Sequence, residues 1–139
     1  MDNLNFKYSV EFLPDKHSQW VMYTKDDFLI WIAGDNIQKK YNFLIKNITS
    51  KNNINKGYIK QLIKGIDDHF GIIVISQNWS FVAVDCARTF PIFWKKTENK
   101  IVISPQAKCI ADKYESPIDK NQLLAFQMSG YCIDEGTLW

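Results

Sequence analysis

Arginine is almost missing from this chain. Of its 17 basic residues only Arg88 is an arginine, and the formal net charge is just +2. The planar fork that reads guanine edges and grips phosphates is therefore nearly absent, and the lysines are scattered instead of gathered in one stretch. These features argue against nucleic acid as a partner. Cysteine is scarce too: Cys86, Cys109 and Cys132 are odd in number and far apart, with no Cys-x-x-Cys pair. That suits reduced thiols in the cytoplasm and not a disulfide frame. Only two histidines occur, His17 and His69, distant in sequence. No metal site is read from them, and no cofactor is expected. No apolar run reaches the roughly 18 residues that span a bilayer, so no membrane partner is expected. The opening MDNLNFKYSV lacks the basic and apolar blocks of a signal peptide.

What is present is the material of one ordinary domain over residues 1–139, with 46% hydrophobic and 23% charged residues. Strands are predicted at Lys7–Leu13, Trp20–Thr24 and Phe28–Ala33, the last two joined as a hairpin across Lys25-Asp26-Asp27. Ile37, Tyr41, Leu44, Ile45 and Ile48 fall at helical spacing, and a second helix is predicted from Tyr58 to about Ile66. Four strands follow: Phe70–Ser76, Trp79–Asp85, Ile92–Lys95 and Lys100–Ser104. The first of these, FGIIVIS, is apolar nearly throughout, as a strand covered on both faces should be. Ser104-Pro105 reads as a helix start with serine as cap, and Ile118–Ser129 as a helix capped by Asp119 and stopped by Gly130. The five tryptophans are expected in or at the edge of the core. Strands, helices, strands, helices: the order predicts a layered α+β sandwich.

Over the second half, a series of short features occurs in order: Phe70-Gly71, Asp85, Pro91 with Phe93-Trp94, Ser104, Ile118-Asp119, Gly130-Tyr131 and Thr137-Leu138. Together they resemble the glutaminase-type domain that begins asparagine synthetases. The turn Asp85-Cys86-Ala87-Arg88-Thr89-Phe90-Pro91 resembles a variant found in asparagine-synthase-related proteins of surface-polysaccharide gene clusters. The resemblance implies an N-terminal-nucleophile hydrolase fold, a four-layer αββα sandwich with two antiparallel sheets between helical layers. It also implies a structural turn built on Asp85, Arg88 and Pro91. There Arg88 is expected to clamp Asp85 or the loop carbonyls with its guanidinium, a task lysine cannot perform. In the first half, Ala33-Gly34-Asp35 sits where the family has a strand followed by Asn-Gly.

The departures bear on chemistry. In that family the first mature residue is a cysteine whose thiolate attacks glutamine, with its own α-amine as general base. Here residue 2 is Asp2, and no Ser, Thr or Cys precedes Ser9. No arginine precedes Ala33 to hold the glutamine carboxylate, and Ala33 replaces the asparagine that helps to form the oxyanion hole. Loss of such a donor alone costs roughly 10²–10³ in rate. Ala33, Gly34 and Asp35 are thus expected to line a vestigial pocket, with no catalytic residue. Cys86 and Cys132 are the substitute nucleophiles to weigh; His69 is the base expected to approach Cys86 across adjacent strands. Asp67-Asp68-His69 is read as solvated charge. Ser129-Gly130-Tyr131 lacks the second glycine of a pyrophosphate loop, so no nucleotide site is read.

The leading expectation is a silent amidotransferase-like domain that packs against a synthetase-type domain, in the same polypeptide or on a partner chain. The native chain is then expected to continue past Trp139. An amidohydrolase with an atypical nucleophile and a small-molecule sensor using the vacant pocket stay open, as does a homodimer.

Overall fold

A computed structural model describes residues 9–15, 19–51, 54–130 and 132. In chain order the elements are β1 (Ser9–Phe12), β2 (Val21–Lys25), β3 (Phe28–Gly34), α1 (Ile37–Ile48), α2 (Lys56–Lys64), β4 (Phe70–Ile75), β5 (Ser80–Val84), β6 (Phe93–Lys96), β7 (Lys100–Ser104), α3 (Ala107–Lys113) and α4 (Lys120–Ser129). The local signals act as chemistry requires. Asn55 caps α2 by accepting from Tyr58 N, and Asp119 caps α4 by accepting from the amides of Asn121 and Gln122. Gly130 closes α4 at φ 80, a left-handed conformation that glycine takes without a Cβ penalty.

β2, β3, β4 and β5 form an antiparallel four-stranded sheet in sequence order. The three-stranded sheet has the order β1-β7-β6. Here the structure corrects the expectation of two antiparallel sheets: β1 runs parallel to β7, with Ser9 beside Lys100 and Phe12 beside Ile103. No hairpin joins these strands. More than half of the chain lies between them, so turn geometry does not impose an antiparallel return.

The pleat sorts the four-stranded sheet into two faces. Ile30, Ile32, Phe70, Ile72, Val74 and Phe81 point to one side and pack with Leu44, Ile48 and Leu62 of α1 and α2. Full burial of each such side chain stabilises by about 1.5–3 kcal/mol. Trp31 and Ile73, neighbours in register, take the opposite face. There Phe12 of the second sheet meets Trp31 at 4.8 Å and Trp20 at 5.2 Å between ring centroids. On the far side of the second sheet, α3 lies against β6 and β7, burying Ile110 and Ala111.

Two further expectations are corrected. Ser104 ends β7 instead of capping a helix: its hydroxyl donates to Leu13 O, it accepts from Gln106 N, and α3 begins only at Ala107. The pull of the β1 neighbour outweighs a local cap. Trp94 is 69% exposed and does not belong to the core, because β6 is the outer strand of its sheet among the described residues. Trp139 lies outside the described residues.

The parallel strand is held by charge as well as by its ladder. Glu11 of β1 accepts from Lys100 of β7 and Lys113 of α3. Hydrogen bonds from Lys100 and then Lys113 hold the Glu11 carboxyl below its usual pKa, against a smaller opposing effect of burial. A depressed acid stabilises above its unfolded pKa, and that contribution is lost as pH falls through the folded value. Glu11→Gln is therefore expected to lower Tm at neutral pH and to flatten the acid limb of the stability profile. With the pair a third exposed, the loss is at most about 1 kcal/mol; calorimetry from neutral to acid pH checks it.

Candidate functional site

Three segments that are remote in sequence meet at one end of the four-stranded sheet. They are the end of β3 with Gly34-Asp35-Asn36, the entry to β4 at Asp68-His69-Phe70, and the turn after β5 from Asp85 to Thr89. Gly34 is at φ +117, and a Cβ there would lie 2.1 Å from His69 O. Glycine is needed twice over: the backbone is left-handed, and the neighbouring strand occupies the space.

Asp85 is buried and organises the turn. Its Oδ2 accepts from Phe70 N at 3.0 Å, and its Oδ1 from Ala87 N, Thr89 N and the Thr89 hydroxyl at 2.9, 3.3 and 3.2 Å. Burial pushes the carboxyl up, but the donors Phe70 N–H, Thr89 N–H and O–H and Ala87 N–H together outweigh it. The pKa lies below the ordinary aspartate value. The Thr89 hydroxyl, which donates to Asp85, also stands 2.9 Å from His69 Nδ1.

That order matters chemically. In a nucleophile triad the imidazole stands between carboxylate and hydroxyl, ready to take the hydroxyl proton. Here the hydroxyl stands between carboxylate and imidazole, so Asp85 holds the hydroxyl and does not orient the imidazole. Cys86 is exposed, and the ring contact shown for His69 is to Thr89 Oγ1. Cys132 is half-buried and follows α4, on the segment after Gly130.

The clamp expected of Arg88 is made by Asp85. The Arg88 side chain is exposed and has no ion pair among the described residues; its contribution is a backbone N–H donated to Asp85 O at 3.0 Å. Arg88 adopts φ 52, a left-handed turn conformation uncommon outside glycine. Pro91 is exposed on the approach to β6.

The segment expected to line the pocket is closed. Ala33 is fully buried and sits opposite Gly71 in the ladder. A Cβ on Gly71 would lie 2.6 Å from the Trp20 indole and 3.0 Å from Phe90 Cβ, so these aromatics fill the space on that face. The Asp35 carbonyl is taken by the ammonium of Lys40. Lys40 is 4% exposed, and its Nζ stands 4.0 Å from Asp68 Oδ2, which also accepts from Asn36 Nδ2 at 3.2 Å. Around them a cleft of about 70 Å³ is lined by residues including Asn36, Lys39, Phe43 and Asp67. Among the described residues no group of His, Cys, Asp and Glu is placed to hold a metal ion.

Sequence reading placed Ala33–Asp35 and the Asp85 turn separately and treated Asp67-Asp68-His69 as solvated. These last residues, exposed though they are, join the other two segments. Thr89, four residues after Asp85, carried a usable signal, since an aspartate at a strand end commonly accepts amides from the turn that follows. Lys40 carried none.

Comparison with models of protein families, with curated proteins and with solved structures finds no match in any of the three.

Two predictions separate the roles. Asp85→Asn is expected to lower Tm by about 5–10 °C and to weaken the acid dependence of stability, because a depressed carboxyl stabilises above its unfolded pKa and loses that contribution as pH falls through the folded value. Arg88→Gly is expected to leave Tm unchanged or slightly raised; a loss as large as that of Asp85→Asn would restore the guanidinium clamp. Gly34→Ala is expected to cost about 3 kcal/mol or more in chemical denaturation, from the collision with His69 O and the left-handed backbone.

Proposed function

We propose that this chain is a catalytically silent glutamine-amidotransferase-like domain of the asparagine-synthase-related kind, with a structural or interaction role. Its partner on this reading is a synthetase-type domain that activates a carboxylate with ATP and joins it to an amine. Support comes from the ordered motif residues of the second half and from two facing sheets flanked by helices, the arrangement an N-terminal-nucleophile sandwich would need. The meeting of the Gly34 turn with the Asp85 turn adds to it.

One observation carries the silent reading. Beside Ala33, where an amidotransferase needs an amide donor and room for glutamine, there is a buried methyl group with Trp20 and Phe90 packed on the neighbouring glycine. A methyl group donates no hydrogen bond to an oxyanion, and filled space admits no substrate. His69, the base expected for Cys86, is in contact with Thr89. An interaction domain needs none of these things.

The test is intact-mass spectrometry after incubation with 6-diazo-5-oxo-norleucine, which alkylates glutaminase nucleophiles, alongside an assay for ammonia release from glutamine. Neither adduct nor ammonia is expected. A stoichiometric adduct on Cys86 or Cys132 would make the chain an enzyme and end this reading.

A further inference from the structure

Along the chain the lysines look scattered, but the fold gathers seven of them in one layer. Residues 36–66, which include α1, α2 and the segment between them, contain Lys39, Lys40, Lys46, Lys51, Lys56, Lys60 and Lys64 and no aspartate or glutamate. All 15 acidic residues lie outside this stretch. Lys40 is buried; the other six are exposed. None of the six makes an ion pair among the described residues. Protein surfaces ordinarily intersperse the two signs, and a layer of one sign is the footprint of an electrostatic task.

The helical period sets these charges on one side. In α1 the buried residues are Lys40, Leu44 and Ile48, and Lys39 and Lys46 fall nearly opposite them around the axis. In α2 Leu62 is buried with Ile59, Ile63 and Ile66 packed on the core, which leaves Lys60 and Lys64 on the outer side and Lys56 on its flank. The two helices are antiparallel neighbours. The Tyr58 hydroxyl donates to Asn47 O at 2.9 Å, and a Cβ on Gly65 would lie 3.1 Å from the Phe43 ring. Both helices therefore turn their lysines away from the same sheet. Lys56, Lys60 and Lys64 recur at about 6 Å of axis, inside the Debye length of about 8 Å at physiological salt, so their fields add. Lys51, over the Tyr58 ring, extends the face at one end, and Asp35, Asp67 and Asp68 border the other.

We propose that this face docks on a bilayer surface rich in anionic phospholipid, resting on the headgroups without entering the hydrocarbon. Six exposed lysines match the cluster of about 4–8 that recognises such a surface. The chemistry of the face favours lipid over other acidic partners. Its cations are all lysine, while the lone Arg88 lies in the turn after β5, so the fork that grips nucleic-acid phosphates is missing. The rings that border it are engaged, Tyr58 by Lys51 and Asn47 O and Phe43 against Gly65, and neither is free to stack on a base. Interfaces between proteins are depleted in lysine and enriched in arginine and aromatics, the reverse of this face. A headgroup layer asks only for positive charge. None of the large exposed apolar side chains belongs to α1 or α2, so nothing here inserts. Such contact needs no spanning helix, and the expectation of no membrane partner, drawn from the missing span, does not bear on it. This inference is independent of the amidotransferase reading.

The test is co-sedimentation of the full chain with phosphatidylcholine vesicles, with and without about one-third phosphatidylglycerol. Binding is expected to the anionic vesicles alone, and it is expected to vanish at about 1 M salt, where the Debye length falls to about 3 Å. Lys60→Gln should weaken partitioning about fivefold, and Lys46→Gln combined with Lys60→Gln about 25-fold, from about 1 kcal/mol per lysine. Lys108→Gln, on α3 beyond the other sheet, should leave partitioning unchanged. Circular dichroism of every variant should match the parent, since only exposed side chains are replaced. Equal binding to both kinds of vesicle, binding to neither, or binding that survives the double substitution overturns the proposal. So does release from the vesicles by duplex DNA at matched charge, which would assign the face to nucleic acid.

Discussion

The carboxylate of Asp85 stands where the chain leaves one sheet for the other, and the rest of the architecture depends on what it accepts. One oxygen takes the amide that opens β4, while the other takes the amides and hydroxyl of the turn that follows β5. The Asp85 amide donates in return to Phe70 O. A buried, ionised group with four donors is stable only in the one arrangement that supplies them all. That requirement sets the β4–β5 register at its open end and aims the chain toward β6. The same entry to β4 presses its His69 carbonyl on Gly34, so the end of β3 is fitted to it as well.

The two faces of the four-stranded sheet are finished differently. On the helix side, β3, β4 and β5 give α1 and α2 an unbroken apolar surface whose members are buried. On the other side, Phe12, Trp20 and Trp31 seal one part of the space between sheets, whereas Val82 and Trp94 leave the β5 and β6 margin uncovered. The filled part includes the surroundings of Ala33, where an amidotransferase would keep its substrate.

Much was legible along the chain because it rests on local rules. The helix Ile37–Ile48 follows from spacing alone, the stop at Gly130 from the left-handed conformation that glycine accepts, and the burial of FGIIVI from its lack of any polar alternation. The candidate site was legible in pieces. Ala33, Gly34 and Asp85 stood out, but nothing in sequence joins them, since their link runs through Asp68, His69, Phe70 and Thr89 over separations of 15 to 32 residues. Arg88 drew attention by its rarity, yet rarity is not contact, and the turn uses its backbone while its guanidinium stays in solvent.

The sequence by itself determined the elements, their order and which side of each is apolar, because helix and strand periods are properties of consecutive residues. Tertiary structure alone decided that β1 lies parallel to β7, that Ser104 serves its neighbouring strand before any helix, and that Trp94 is left outside the core. Each of these turns on which strand comes to lie beside which. That choice is made by packing between residues far apart in the chain, and no local pattern records it.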